Sequence, residues 1–265
     1  MKLQSFQIIA IALFILWISG ILIFFFSKNP WKKNFGLSLV GLGSLILAAY
    51  IAYLGNYLGR PPIKTLGETR LWYSLFVSIV GIIMHLRWNM KLMVIYSVFM
   101  SILFLTIDLL KPSTFDQTLM PALQSPWFVP HVIVYIISYA ILALAAIAAI
   151  QGLIATYRGK YEDNTLLVAD NIVYVGFAFL TFGILFGALW AKEAWGSYWT
   201  WDPKETWAFI TWMCYLIYIH LRHQHPQSRL TPLWVLAFSF VILLICWFGV
   251  NYLPSAANSV HVYAN

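Results

Sequence analysis

Charge is scarce in this chain. Only 9% of its residues are Asp, Glu, Lys or Arg, against about a quarter in a soluble domain, and that shortage excludes an ordinary water-soluble fold. Cysteine is scarcer still: Cys214 and Cys246 each sit inside an apolar run, far apart, and no C-x-x-C exists. The chain therefore cannot itself be a dithiol oxidoreductase, and two small core residues account for the pair. A Walker-type phosphate loop is absent, so ATP is not an evident energy source. No internal repeat, low-complexity tract, linker or soluble segment interrupts the sequence, which reads as a single domain over residues 1–265.

What the chain has in abundance is apolar sequence, 62% of its residues. A helix needs about 20 apolar residues to cross the hydrocarbon core. Stretches of that kind run over Phe6–Phe26, Phe35–Gly55, Leu71–Trp88, Leu92–Leu110, Pro126–Tyr157, Leu166–Trp190, Pro203–Leu221 and Pro232–Val250. They predict an all-α integral membrane protein, a bundle of about eight transmembrane helices. The first stretch is longer than a signal-peptide core and reaches Lys28 without an A-x-A site, so it is expected to be a retained span. An even number of spans puts both termini on one side.

A net charge of +7 would suit nucleic acid, but the basic residues are scattered at helix ends rather than gathered in a stripe. They read as topology markers. One set of connections carries Lys28, Lys32, Lys33, Arg87, Lys91, Arg158, Lys160, Arg222 and Arg229 with few acids. The other carries Lys2, Arg60, Lys64, Arg70, Lys111, Lys192 and Lys204, offset by Glu68, Asp116, Glu193, Asp202 and Glu205. Basic loops stay in the cytoplasm, so the first set is predicted inside, with the second set and both termini outside. Thr65 with Glu68, and Asp202-Pro203 with Glu205, have the form of capping boxes. Ser125-Pro126 and Thr231-Pro232 have the form of a cap followed by proline. Gly183 and Gly187 have the G-x-x-x-G spacing of closely packed helices.

On the predicted outer side, residues 190–207 read W-A-K-E-A-W-G-S-Y-W-T-W-D-P-K-E-T-W, five tryptophans in eighteen residues. A belt of interfacial tryptophans needs only an occasional ring per helix end. A continuous run containing a glycine fits better as a stacking platform for a large flat ligand. Haem is such a ligand, an apolar disc whose iron needs axial donors and whose carboxylates need cations. Rings would come from Trp195, Tyr198, Trp199, Trp201 and Trp207, with Gly196 allowing close approach. Cations would come from Arg60, Lys64, Arg70, Lys192 or Lys204.

The axial donors would be histidines. His131 begins the fifth span. His261 lies eleven residues past Val250 in the C-terminal tail, which at about 3.3 Å per extended residue reaches back across the outer surface. Taken singly, His131 reads as a helix-end histidine wetted at the headgroups, and His261 as a tail residue; their shared face with the tryptophans points to function. His220 lies thirteen residues beyond Trp207, about 20 Å down a helix, where an intramembrane polar group is costly. His85 matches its depth on the third span but reads as snorkelling, and His223 and His225 as solvated loop. Asp202 and Glu205 resemble a catalytic acid pair, yet capping accounts for both.

The run Trp195-Gly196-x-x-Trp199-x-Trp201-Asp202-x-x-Glu205 resembles the tryptophan-rich "WWD" segment of the cytochrome c assembly membrane proteins (CcmC, CcmF, CcsA). Its extension through Trp207 is most similar to the CcsA (ResC) branch. The likeness is strong over 126–265 and weak over 1–125. It implies that the loop binds haem b, a transported substrate, between external histidines His131 and His261, with His220 in a second, embedded site. Its other ligand would come from a CcsB (ResB) partner, or from His85. The implied role is presentation of haem to the C-x-x-C-H thiols of an apocytochrome c, with haem lyase activity only in the complex, in a bacterial cytoplasmic or thylakoid membrane. Two alternatives are a CcmC-type haem chaperone without lyase activity and a b-type electron-transfer subunit. The eight spans and His220 argue against the first, and the lack of clear histidine pairs on facing spans against the second.

Overall fold

The computed structural model describes residues 3–115, 121–161, 164–254 and 259. Among the described residues the secondary structure is helical throughout. The long helices are α1 (Leu3–Phe26), α2 (Pro30–Leu58), α3 (Leu66–Trp88), α4 (Lys91–Leu110), α5 (Phe128–Tyr157), α6 (Asn164–Trp195), α7 (Pro203–Gln224) and α8 (Leu230–Trp247). Seven are long and apolar enough to cross a membrane. The exception is α7, which carries Lys204 and Glu205 in its first turn and Arg222 and His223 in its last. Eight helices stand where eight spans are expected, but apolarity alone marks seven.

Local signals explain most boundaries. At α3, Thr65 Oγ1 accepts from Glu68 N at 3.3 Å and Glu68 Oε2 accepts from Thr65 N at 3.2 Å, the predicted capping box. The second box, Asp202 with Glu205, opens α7. Two predicted caps fall elsewhere. Helix α5 begins at Phe128 with no side-chain cap: Ser125 Oγ accepts from Trp127 N at 3.2 Å in a turn ahead of the helix and donates to Glu193 Oε2 at 2.7 Å. Thr231-Pro232 lies inside the first turn of α8, which starts at Leu230. A proline there removes an N–H that would have no partner anyway.

The chain forms two compact units, residues 1–119 and 120–265. In the first, α1 packs on α2 and α4, and α3 on α2 and α4. Its interior is apolar (Leu13, Trp17, Leu47, Leu71, Leu105), with short polar stitches. Ser44 and Ser78 hydroxyls meet at 2.8 Å, and Ser101 Oγ donates to the Ser74 carbonyl at 2.8 Å. Such bonds join helices where lipid gives no hydrophobic drive. Two carboxylates are buried in it: Glu68 binds Arg60 through both oxygens at 2.7 and 2.9 Å, and Asp108 binds Arg70 at 2.9 Å. In the loop ahead of α3, burial and the Arg60 guanidinium lower the Lys64 pKa, with Glu68 opposing. In the second unit α5 packs on α6 and α8, and α7 on the same two helices. Its centre is the alanine-rich stretch of α5, where Ala140, Ala143, Ala145, Ala148 and Ala149 are fully buried.

Candidate functional site

The site is built where the end of α6 turns back into α7. Gly196 terminates α6 with a φ of 83°, its N–H bonded to the Lys192 carbonyl at 3.0 Å, as in a helix ending on a left-handed glycine. Among the described residues, none beyond its chain neighbours places a heavy atom within 4 Å of where its Cβ would be. The glycine is therefore required by the backbone angle. Lys192 Nζ returns to the Gly196 carbonyl at 2.8 Å and lies 5.4 Å from the Tyr198 ring centroid.

Trp201 has a φ of 59°, a region that bulky residues avoid. Glu205 explains how it is held. Glu205 Oε2 accepts from Thr200 N at 2.8 Å and from Asp202 N at 3.1 Å, gripping the backbone on both sides of Trp201. Thr206 Oγ1 donates to the Trp201 carbonyl at 3.1 Å. The indole is left 64% exposed, edge-on to Trp199 at 5.8 Å and to Phe209 at 6.0 Å. The rings continue through Trp212, stacked on Phe209 at 6.2 Å and on Phe177 at 5.3 Å. Trp207 is half-buried on α7. Asp202 caps α7 by accepting from Lys204 N at 2.9 Å, so Asp202 and Glu205 are structural here, as the capping pattern predicts.

His131 lies in the second face of this aromatic system. Its ring is 5.3 Å from Trp190, which is 4.9 Å from Trp195, and it meets Tyr135 edge-on at 4.8 Å. Trp190 is buried, its indole N–H donated to the Ala122 carbonyl at 2.7 Å. His131 Nδ1 is 2.9 Å from the Gly183 carbonyl oxygen of α6. The Trp190 ring thus connects His131 to Trp195. Sequence reasoning passed over Trp190 as a contact of His131, and took Gly183 and Gly187 only as packing glycines. The clue was available: Gly183, Gly187 and Trp190 recur at helical spacing on the face of α6 that meets α5.

His261 lies outside the described residues. Ser259, two residues earlier, is described, and its hydroxyl donates to Asp202 Oδ1 at 3.0 Å. His220 is exposed on α7. Behind it, Tyr218 OH donates to Asp170 at 2.7 Å, and Arg222 donates to both Asp170 oxygens through Nε at 3.0 and 3.1 Å and through NH2 at 2.9 Å. Arg222, expected as a plain topology charge, is therefore one half of a buried clamp. His85, on α3, packs edge-on against Phe24 at 4.8 Å. Two of the cations expected for carboxylate pairing are otherwise engaged: Arg60 and Arg70 hold the buried carboxylates of the first unit.

The cytochrome c assembly protein family model matches residues 6–257. The chain belongs to that family. Among curated relatives, the cytochrome c biogenesis protein CcsA of Trachelium caeruleum is 34% identical over 258 residues, 81% of this chain and 82% of its own length. The CcsA of Cuscuta exaltata is 33% identical over 241 residues, 78% of this chain and 77% of its own. That of Chlamydomonas reinhardtii is 41% identical over 164 residues, 59% of this chain and 46% of its own. The match takes in both units, including the first, where the motif likeness is weak. A helical, multi-pass membrane protein of cytochrome c biogenesis is the shared description.

Proposed function

We propose that this cytochrome c assembly protein carries haem to the outer face of its membrane and presents it there for covalent attachment to an apocytochrome c. The observation that carries the reading is His131, whose imidazole is fixed within a nest of Tyr135 and Trp190 that runs directly into Trp195 and the tryptophan loop. An imidazole beside a broad indole surface suits an iron porphyrin: the nitrogen ligates the metal and the rings take the disc.

The second axial donor is His261. The tail is tied to the loop at Ser259, and two further residues reach at most about 7 Å. Trp195, Tyr198, Trp199, Trp201 and Trp207 line the platform around Gly196, and exposed Lys192 is the cation that the loop itself presents to a propionate. The C-x-x-C-H segment of the apocytochrome then docks at the open edge. Each thiol adds its S–H across a vinyl group, and the incoming histidine replaces one axial imidazole, which frees the product.

His220 offers its imidazole at the surface of the second unit. That placement suits an embedded haem shared with a CcsB (ResB) subunit, which would supply the second ligand. Orientation follows the basic loops: the tryptophan loop and both termini outside, in a bacterial cytoplasmic or a thylakoid membrane. Replacing His131 or His261 with alanine, in cells carrying the partner subunit and an apocytochrome reporter, is expected to abolish covalent haem attachment. Normal maturation in both variants would remove the ligand assignment.

A further inference from the structure

The contact between His131 and α6 goes further than placing a ring near a loop. A backbone carbonyl can only accept a hydrogen bond, so the 2.9 Å approach of His131 Nδ1 to the Gly183 oxygen requires the proton to be on Nδ1. In a neutral imidazole the other nitrogen, Nε2, then holds the lone pair. The same helix makes room for the ring one turn later. A Cβ at Gly187 would stand 2.7 Å from His131 Cε1 and 2.8 Å from Nδ1, and a Cβ at Gly183 would stand 3.0 Å from the Tyr135 ring. Tyr135 closes the opposite side edge-on, and Trp190 lies tilted against the ring.

We propose that Gly183 and Gly187 of α6 are positioning residues for the haem ligand. The Gly183 carbonyl fixes the Nδ1–H tautomer of His131, and the notch at Gly187 sets the ring plane, so that Nε2 is the nitrogen offered to iron. The proposal deepens the haem reading and rests on it for its last step. Metal-bound histidines commonly give their second ring N–H to a carbonyl in this way, which fixes the ring and raises its basicity. Here the carbonyl is available because it belongs to a helix that already carries two small residues at the crossing. In an ordinary close crossing the glycines would meet backbone or aliphatic side chains; here Gly187 meets the imidazole.

The test uses the full chain with its membrane partner in lipid nanodiscs, labelled with 15N-histidine. The His131 resonances are assigned by their loss in His131→Ala. In haem-free wild type, His131 is expected with a protonated Nδ1 and an unprotonated Nε2; a proton on Nε2 overturns the proposal. Gly187→Ala is expected to shift that resonance and to lower retained haem several-fold, with retention restored by added imidazole. Unchanged tautomer and unchanged haem in Gly187→Ala also overturn it. Gly176→Ala separates positioning from packing. A Cβ at Gly176 would stand 2.6 Å from Leu142 on the same pair of helices, so this variant is expected to lose stability without moving the His131 signal; an equal shift there reduces the effect to packing and overturns the proposal. If His131→Ala keeps its haem while the tautomer result holds, it is the haem reading that fails.

Discussion

Trp201 occupies a left-handed backbone conformation that costs about 1–3 kcal/mol, and the loop spends the hydrogen bonds of Glu205 and Thr206 to hold it there. Conformations of that kind persist where their surroundings over-determine them, and the gain is an indole presented outward rather than packed away. Glu205→Ala would leave the Thr200 and Asp202 N–H groups without their acceptor, at about 1–3 kcal/mol for a buried group. The expected result is a lower Tm in nanodiscs together with new protease cleavage in residues 196–202; Glu205→Gln, which keeps one oxygen, should lose less than half as much. Trp201→Gly separates strain from ligand contact. It relieves the backbone angle, so Tm should hold or rise while retained haem falls. A falling Tm with unchanged haem would make Trp201 a packing residue. At this scale the sequence was informative about which residue types gather at the loop, and about the caps, since Asp-Pro-x-Glu encodes a helix start locally. It was silent on the angle at Trp201, because residue types in a short loop do not specify which of them turns left-handed, and on the carbonyl facing His131, because that depends on where a distant helix lies.

Helix α7 is set in rotation by a clamp. Tyr218 and Arg222, one turn apart, both bind Asp170 of α6, and His220 between them is carried to the opposite face. Both charged side chains are largely buried. Removing one partner of such a pair costs about 3–5 kcal/mol, whereas replacing both with apolar residues is often neutral. Asp170→Ala is therefore expected to destabilise the protein strongly in thermal denaturation. Asp170→Leu with Arg222→Met and Tyr218→Phe, which leaves no member of the clamp unpaired, is expected to recover most of the loss. Equal damage in the triple variant would show that the charges serve more than the pairing of α6 with α7. The clamp was not read from the sequence. An acid near the start of an apolar span is costly and asks for a partner, but Asp170 was not singled out, Arg222 read as a loop charge, and only the register of α6 against α7 joins them. The span at α7 shows the reverse case: its helix was readable from the Asp202 cap, although its composition falls short of an apolar span.

At the scale of the whole molecule the described residues form two units in one chain, each with four long helices in a ring of consecutive neighbours. The helices were legible because a lipid-crossing segment must satisfy its own backbone and is written as one long apolar run. The division into units was not read from the sequence, although residues 111–127 gather three prolines among polar residues; the split follows from packing. Sidedness is the matching prediction. Tyr198→Cys should react with a membrane-impermeant maleimide from the outer side of intact cells, and His225→Cys only after permeabilisation. Labelling at 225 alone would place the tryptophan loop inside. The most direct measurement is the visible absorption spectrum of the chain purified with its partner subunit, under reducing conditions. The wild type is expected to carry a six-coordinate, bis-imidazole haem spectrum, and both His131→Ala and His261→Ala to lose most of the outer-site absorbance, with recovery on adding imidazole. An unchanged spectrum in both variants would contradict the account.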